Sequence, residues 1–250
     1  MAKVSGYGRI GVVPDPDGEL TRVGLGTPMG EVLRRYWQPV GVAAEVTTRP
    51  KTLRILGEDL ILFRDGNGRV GVLHARCAHR GTTLYYGKVD GNGIRCCYHG
   101  WQFDVEGRCL DQPCEPGGGL HRERARQPWY PAREQYGLVF AYMGPPAKMP
   151  LLPRFDGYVA ERAIRHLGKR VIPCNWLQCM ENSADPVHTE WLHGALYEFR
   201  HEAEKKKVAI SRHHAKIAFD EFPFGIIKRR LLENQSEESD DWRVGHPLIF

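Results

Sequence analysis

The chain has no long apolar run. None of its segments approaches the ~18 consecutive apolar residues that a membrane-spanning helix requires, and residues 1–20 are polar and rich in Gly and Pro, without the apolar stretch of a secretory signal. These two absences lead to the expectation of a cytoplasmic protein with no membrane partner. An excess of one charge is also missing. The formal net charge is +5 over 250 residues, with 35 Lys and Arg against 30 Asp and Glu, too mixed to favour nucleic acid. No glycine fingerprint for a dinucleotide is present, and no internal repeat or low-complexity tract interrupts the chain.

What remains is a globular composition, 42% hydrophobic and 26% charged, with room for one large or two ordinary domains. Three segments are expected. Residues 1–37 form an N-terminal stretch whose part 28–37 (PMGEVLRRYW) reads as a helix capped by Thr27, with Pro28 at its first position. Residues 38–150 carry short alternating runs at 52–56, 60–64, 69–74 and 137–143, with turn signals at 57–59 and 65–68, which predicts a small antiparallel β domain. A proline-punctuated connector ends this domain near Pro150. Residues 151–250 then predict two strands, a helix opening near Asn175, and strand-like runs from 208 to 232. Lys205–Lys207 and the acidic stretch 237–241 read as solvated faces.

Four residues carry the strongest chemical pattern. Cys77 and His79 stand as Cys-x-His, and after sixteen residues Cys96 and His99 stand as Cys-x-x-His. Two thiolates on one iron and two imidazoles on the other hold a Rieske [2Fe-2S] centre, and the lower negative charge of that ligand set raises the potential at which an electron is accepted. A structural zinc site is the competing use of two Cys and two His, but zinc fingers place Cys-x₂₋₄-Cys before His-x₃₋₅-His, and the mixed pairs here fit that order poorly. The loops of bc-type Rieske proteins carry a further cysteine each, and Thr82 and Tyr98 occupy those positions. Histidines facing outward offer the electron an exit while backbone amides shield the sulfurs. Trp101 reads equally as cover for the cluster or as core filling. Of the seven cysteines, Cys97, Cys109, Cys114, Cys174 and Cys179 are expected to be reduced thiols, with Cys97 a spare buried one.

A second constellation lies on the helix near Asn175, which runs through Asn182, Asp185, Pro186, His188 and His193. Two histidines five apart on a regular helix sit about 140° from one another and cannot share an ion. Pro186 interrupts the hydrogen-bond ladder, so a locally widened turn is expected to swing both rings to one side. Two histidines and a carboxylate make the facial triad of non-haem Fe(II) oxygenases.

Asp-x-x-His-x-x-x-x-His downstream of a Rieske motif resembles the Rieske non-haem iron oxygenases, and the likeness runs from about Gly24 to the end. The stretches at 26–30, 35–40 and 172–176 (IPCNW) are most similar to the phthalate dioxygenase group. The resemblance implies an α+β fold, with a small antiparallel Rieske domain followed by a helix-grip catalytic domain of mixed sheet and helix. It also implies a [2Fe-2S] cluster on Cys77, His79, Cys96 and His99, and a mononuclear Fe(II) on His188 and His193. Asp185 is implied as a carboxylate joining the cluster histidine His99 of one subunit to an iron histidine of the next in a homotrimer, and Asn182 as a lining residue. The implied activity is hydroxylation of an aromatic, possibly carboxylated, substrate with O₂, fed by a reductase or ferredoxin using NAD(P)H. O-demethylation or monooxygenation, and electron transfer without oxygenation, are the alternatives. The family's third iron ligand is an aspartate from a distant later helix, so the chain reads as truncated unless Asp220, Asp240 or Asp241 completes the site.

Overall fold

The computed structural model describes residues 17–120, 122–202 and 213–249. The chain divides into two compact units, Met1–Ile172 and Pro173–Phe250. In the first, α1 (Gly18–Thr21) precedes α2 (Pro28–Leu33). The Thr27 hydroxyl accepts the Gly30 N–H at 3.2 Å and Pro28 starts α2, as the sequence predicts. The helix stops at Leu33, short of the expected Trp37. Trp37 leaves the helical path to bury its indole against Phe140, Tyr142 and Leu152, and its Nε1–H donates to the Pro150 carbonyl at 2.9 Å. This contact also bears on the domain boundary. The proline connector stays attached to the first unit through Pro150 and the buried Leu152, and the two units part only after Ile172.

The first unit is built from β1 (Gln38–Val42), β2 (Lys51–Ile55), β3 (Glu58–Arg64), β4 (Val70–His74), β5 (Lys88–Asp90), β6 (Gly93–Arg95), β7 (Gln102–Asp104), β8 (Cys109–Asp111), β9 (Trp129–Tyr130), β10 (Ala132–Gln135) and β11 (Leu138–Ala141). They pair antiparallel in three sheets, β2-β3-β4-β9, β5-β6-β7-β8 and β1-β11-β10. The β2–β3 hairpin turns on Leu56 and Gly57, both with positive φ (47° and 82°), so Glu58 and Asp59, expected in the turn, instead open β3. At the next turn the buried Asp65 carboxylate accepts the Asn67 and Arg69 amides at 2.9 and 2.8 Å, and Asp104 repeats the arrangement with the Glu106 and Arg108 amides.

Strand β3 is apolar on both faces, and both are buried. Ile61 and Phe63 join Leu73, Leu84, Ile94, Phe103 and the thiols of Cys77 and Cys96 in one core, whereas Leu60 and Leu62 join Val40, Val46, Val72 and Val139 in another. A continuous apolar run is the pattern expected of a strand covered on both sides. Each such side chain contributes about 1.5–3 kcal/mol by leaving water. The first core therefore anchors Cys77 and Cys96 at the bases of two loops.

The two strands expected between the connector and Asn175 are not formed among the described residues. No strand of any sheet pairs with that segment, and its regular element is the short α3 (Asp156–Val159). In the second unit, α4 (Trp176–Ala184) starts from Asn175, whose Oδ1 accepts the Gln178 N–H at 3.2 Å. It is followed by α5 (His188–Glu190), a π-helical turn at Trp191–Ala195, and α6 (Leu196–Arg200). Strands β12 (His214–Phe222), β13 (Gly225–Leu232) and β14 (His246–Ile249) form an antiparallel sheet in that order, with α7 (Asp240–Arg243) before the last. The Lys205–Lys207 patch lies outside the described residues. No described helix is long and apolar enough to cross a membrane.

Candidate iron–sulfur and mononuclear iron sites

Two loops of the first unit close alike. Cys77 N–H donates to the Thr82 carbonyl at 2.9 Å and Gly81 N–H returns to the Cys77 carbonyl at 2.8 Å; Cys96 N–H donates to Trp101 at 2.8 Å and Gly100 N–H returns to Cys96 at 3.1 Å. Each loop needs its glycine, since Gly81 and Gly100 have φ of 73° and 74°. Both cysteines are 4% exposed, whereas His79 and His99 are half-buried at the rim. Their rings meet edge-on with centroids 4.8 Å apart. His79 Nε2 faces Glu115 Oε1 at 3.7 Å, which leaves Nδ1 on the other side of the ring.

Burial pushes the Cys77 thiol up to about 11; the His79 and Arg80 amides directed at its sulfur oppose that rise, and the adjacent Cys96 adds to it. Burial and the neighbouring His99 hold the His79 imidazole below its usual range, against the pull of Glu115. Trp101 does both things the sequence left open. It stacks on His79 with centroids 4.4 Å and planes 1° apart, and it packs against the first core. Its Nε1–H is buried without a hydrogen-bond partner.

Two apposed buried thiols, amides aimed at sulfur, an unpartnered indole N–H and two imidazoles at the rim fit a sulfur-rich anionic group with nitrogen ligands on its outer side. Cys97 departs from expectation: it is exposed, since it follows the buried Cys96 on the loop and its side chain faces outward.

Two supports of these loops were not anticipated. Gln127 is fully buried, donates from Nε2 to the His74 and Arg76 carbonyls at 2.8 Å each, and accepts the Ala78 N–H at 2.8 Å. It thereby holds the first loop between Cys77 and His79. Arg95 does the same for the second, donating to the Gly100 carbonyl at 2.8 Å while pairing with Asp90 and Asp111 at 3.0 and 2.7 Å. In the sequence Arg95 is marked only by its place between the two Cys/His pairs, and nothing in the local sequence marks Gln127.

In the second unit, α4 ends at Ala184 and Asp185 turns into extended backbone before Pro186. Asp185 then holds the backbone leading into α5, with Oδ1 accepting the Val187 N–H at 2.7 Å and Oδ2 the His188 N–H at 3.2 Å, and the same Oδ2 lies 3.1 Å from His188 Nδ1. Partial burial disfavours its ionisation, but these amides and the His188 ring outweigh it and hold the carboxyl below its usual range. The widened turn lies at Trp191–Ala195, after His188 and not at Pro186 itself, and the His188 and His193 rings stand with centroids 5.3 Å apart. With Nδ1 of His188 engaged, Nε2 is its free metal-binding atom.

Asn182 is exposed one turn before Asp185. Asp220 pairs with Arg229, Asp240 with Arg243, and Asp241 with Gln235, so none of the three carboxylates is brought to the histidines. Among the described residues no three His, Cys, Asp or Glu side chains converge on one ion. The pair of imidazoles with an oriented Nδ1 fits two ligands of such a centre.

Glu190, two residues past His188, went unnoticed in the sequence. Its Oε1 accepts the His214 N–H at 2.6 Å and lies 2.5 Å from His214 Nδ1, and its Oε2 lies 3.2 Å from His213 Nδ1. The His214 side chain is 3% exposed. Residues two apart on a helix point about 200° from one another, so this clamp ties the back of the histidine-bearing helix to β12.

Residues 36–130 match the family model described as Rieske [2Fe-2S] domain. The chain is 56% identical over 197 residues to the phenoxybenzoate dioxygenase subunit alpha of Ectopseudomonas oleovorans, covering 72% of this chain and 48% of that one. It is 40% identical over 237 residues to the 5,5'-dehydrodivanillate O-demethylase oxygenase subunit of Sphingobium sp., covering 93% and 55%. A crystal structure of dicamba monooxygenase bound to 3,6-dichlorosalicylic acid matches in fold with a TM-score of 0.62 at 23% identity, over 78% of this chain and 54% of that one. The chain spans about half the length of the curated relatives it matches. The matched model and the two paired loops within it establish that the chain carries a Rieske [2Fe-2S] domain, and the identity beyond that domain makes the chain similar to dioxygenase and O-demethylase oxygenase subunits.

Proposed function

We propose that the chain serves in the oxygenase component of an aromatic ring-hydroxylating system, with Cys77, His79, Cys96 and His99 holding a [2Fe-2S] cluster and His188 and His193 supplying two ligands of a mononuclear Fe(II). When bound, the cluster supplies single-electron transfer and the iron supplies dioxygen activation for hydroxylation of the ring. The observation that carries this reading is the pairing of two buried thiols with two rim imidazoles only 4.8 Å apart.

The residues of the chain have distinct tasks in this reading. The rim position of His79 and His99 gives electrons a short path to and from an external donor, a ferredoxin or a reductase using NAD(P)H. Trp101 and the first core keep water from the sulfurs. Asp185 fixes the His188 ring through Nδ1. Its carboxylate is 43% exposed, which leaves it open to accept the N–H of a cluster histidine, His99 of a neighbouring subunit, in a homotrimer. Asn182, exposed one turn before Asp185, lines the same side. With seven free thiols, a reducing cytoplasmic setting suits the chain.

Anaerobic reconstitution with iron and sulfide tests the proposal. The expected product contains acid-labile sulfide and shows the EPR signal of a reduced Rieske cluster. His188→Ala with His193→Ala should lose the mononuclear iron and keep the cluster. A colourless, zinc-containing protein without sulfide would refute the redox reading. A second reading, oxidative O-demethylation, is favoured by the relative at 40% identity that covers 93% of the chain. Products from an aryl methyl ether and from a bare aromatic carboxylate, each with a competent donor, distinguish the two.

A further inference from the structure

Five cysteines take no part in the iron–sulfur site. Cys109 is buried, and Cys97 and Cys114 are exposed single thiols. Cys174 and Cys179 differ from these, being exposed with their sulfurs 3.8 Å apart. They flank the start of α4. Cys174 precedes the cap residue Asn175 and Cys179 lies in the fourth helical position, the two places whose side chains meet across a helix N-terminus. Small rotations of both side chains would bring the sulfurs to the bonding distance of about 2.0 Å.

We propose that Cys174 and Cys179 are a dithiol modification site, converted to a reversible intramolecular disulfide by hydrogen peroxide. The Cys179 thiolate attacks one peroxide oxygen, the O–O bond breaks, and hydroxide leaves, giving a sulfenic acid. The Cys174 sulfur then attacks that of Cys179, the S–O bond breaks, and the oxygen departs as water with the thiol proton. Two electrons pass from the sulfurs to the peroxide, and the balance is one dithiol and one peroxide giving one disulfide and two waters. Burial and the adjacent Cys179 sulfur push the Cys174 thiol up, which suits it to the second, resolving step. The chemistry requires only peroxide and the two thiols, so it stands apart from the oxygenase reading.

Both residues fall in one tryptic peptide, because no Lys or Arg occurs between Arg170 and Arg200. The holoprotein is treated with a few equivalents of hydrogen peroxide, alkylated, digested and weighed. The expected peptide carries no alkyl group, is lighter than the dithiol form by two hydrogen atoms, and regains two alkylation sites after phosphine reduction. Cys174→Ser should instead leave a dimedone-reactive sulfenic acid on Cys179. The proposal is overturned if the wild-type peptide retains both thiols while Cys97 and Cys114 oxidise, or if its two sulfurs gain oxygen independently without forming the bridge.

Discussion

The indole of Trp101 lies parallel to the imidazole of His79, centroids 4.4 Å apart and planes 1° apart, and it also meets the core at Phe103, centroids 6.3 Å apart in a tilted contact. One side chain thus fixes the plane of a rim histidine and seals the pocket beneath it. Replacement with leucine removes the stack and opens the pocket edge to water. Trp101→Leu is expected to lower stability by about 1–3 kcal/mol and to accelerate bleaching of a reconstituted cluster by chelator, both readable by denaturant titration and visible absorbance.

Gln127 holds the first loop with three hydrogen bonds whose partners lie some fifty positions earlier in the chain, at His74, Arg76 and Ala78. Gln127→Leu preserves volume but leaves these backbone groups unpaired, at about 1–3 kcal/mol for each buried group left unsatisfied. The variant should retain the β fold by circular dichroism yet bind less cluster iron per chain. Iron content equal to the wild type would contradict the assigned role.

Glu190 ties the histidine-bearing helix to β12 through His214. Glu190→Gln keeps the size and loses the charge-assisted contact. A weaker affinity for mononuclear iron is expected, because the helix presenting His188 loses its tie to β12, with cluster content unchanged. Titration of the reconstituted protein with Fe(II) measures it.

Tyr130 donates to Glu58 Oε2 at 2.6 Å, and burial, reinforced by the Glu58 carboxylate, pushes its phenol up to about 12. The folded state therefore holds this proton more tightly than an unfolded chain, whose tyrosine titrates near 10. The contribution to stability is complete below about pH 10 and disappears as pH rises toward 12. Ultraviolet difference titration should show one late phenol that vanishes in Tyr130→Phe, and the variant's stability should fall less steeply across that window.

The sequence revealed most where the chemistry is local. The Cys and His pairs, the hairpin runs at 60–64 and 69–74, and the cap at Thr27 each depend on residues a few positions apart. The end of α2 was hidden because Trp37 answers to Phe140 and Pro150, more than a hundred residues later. Gln127, Arg95 and the Glu190–His214 clamp were hidden for the same reason: their partners become neighbours only once the sheets and turns have formed. The helix break at Pro186 was visible, but the π turn belongs to the segment after it, where no residue type announces an extra residue per turn.

The apolar run of β3 is four residues long, Leu60–Phe63, and stands between Asp59 and Arg64, so sliding it by one position would carry one of these two charges into a fully buried place. The charged ends of the run therefore oppose any other alignment. The tight two-residue reversal at Leu56 and Gly57 and the Asp65 carboxylate at the opposite end hold the same alignment. An insertion that shifted this alignment would bury a charge and, in the same stroke, displace the strand leading to Cys77.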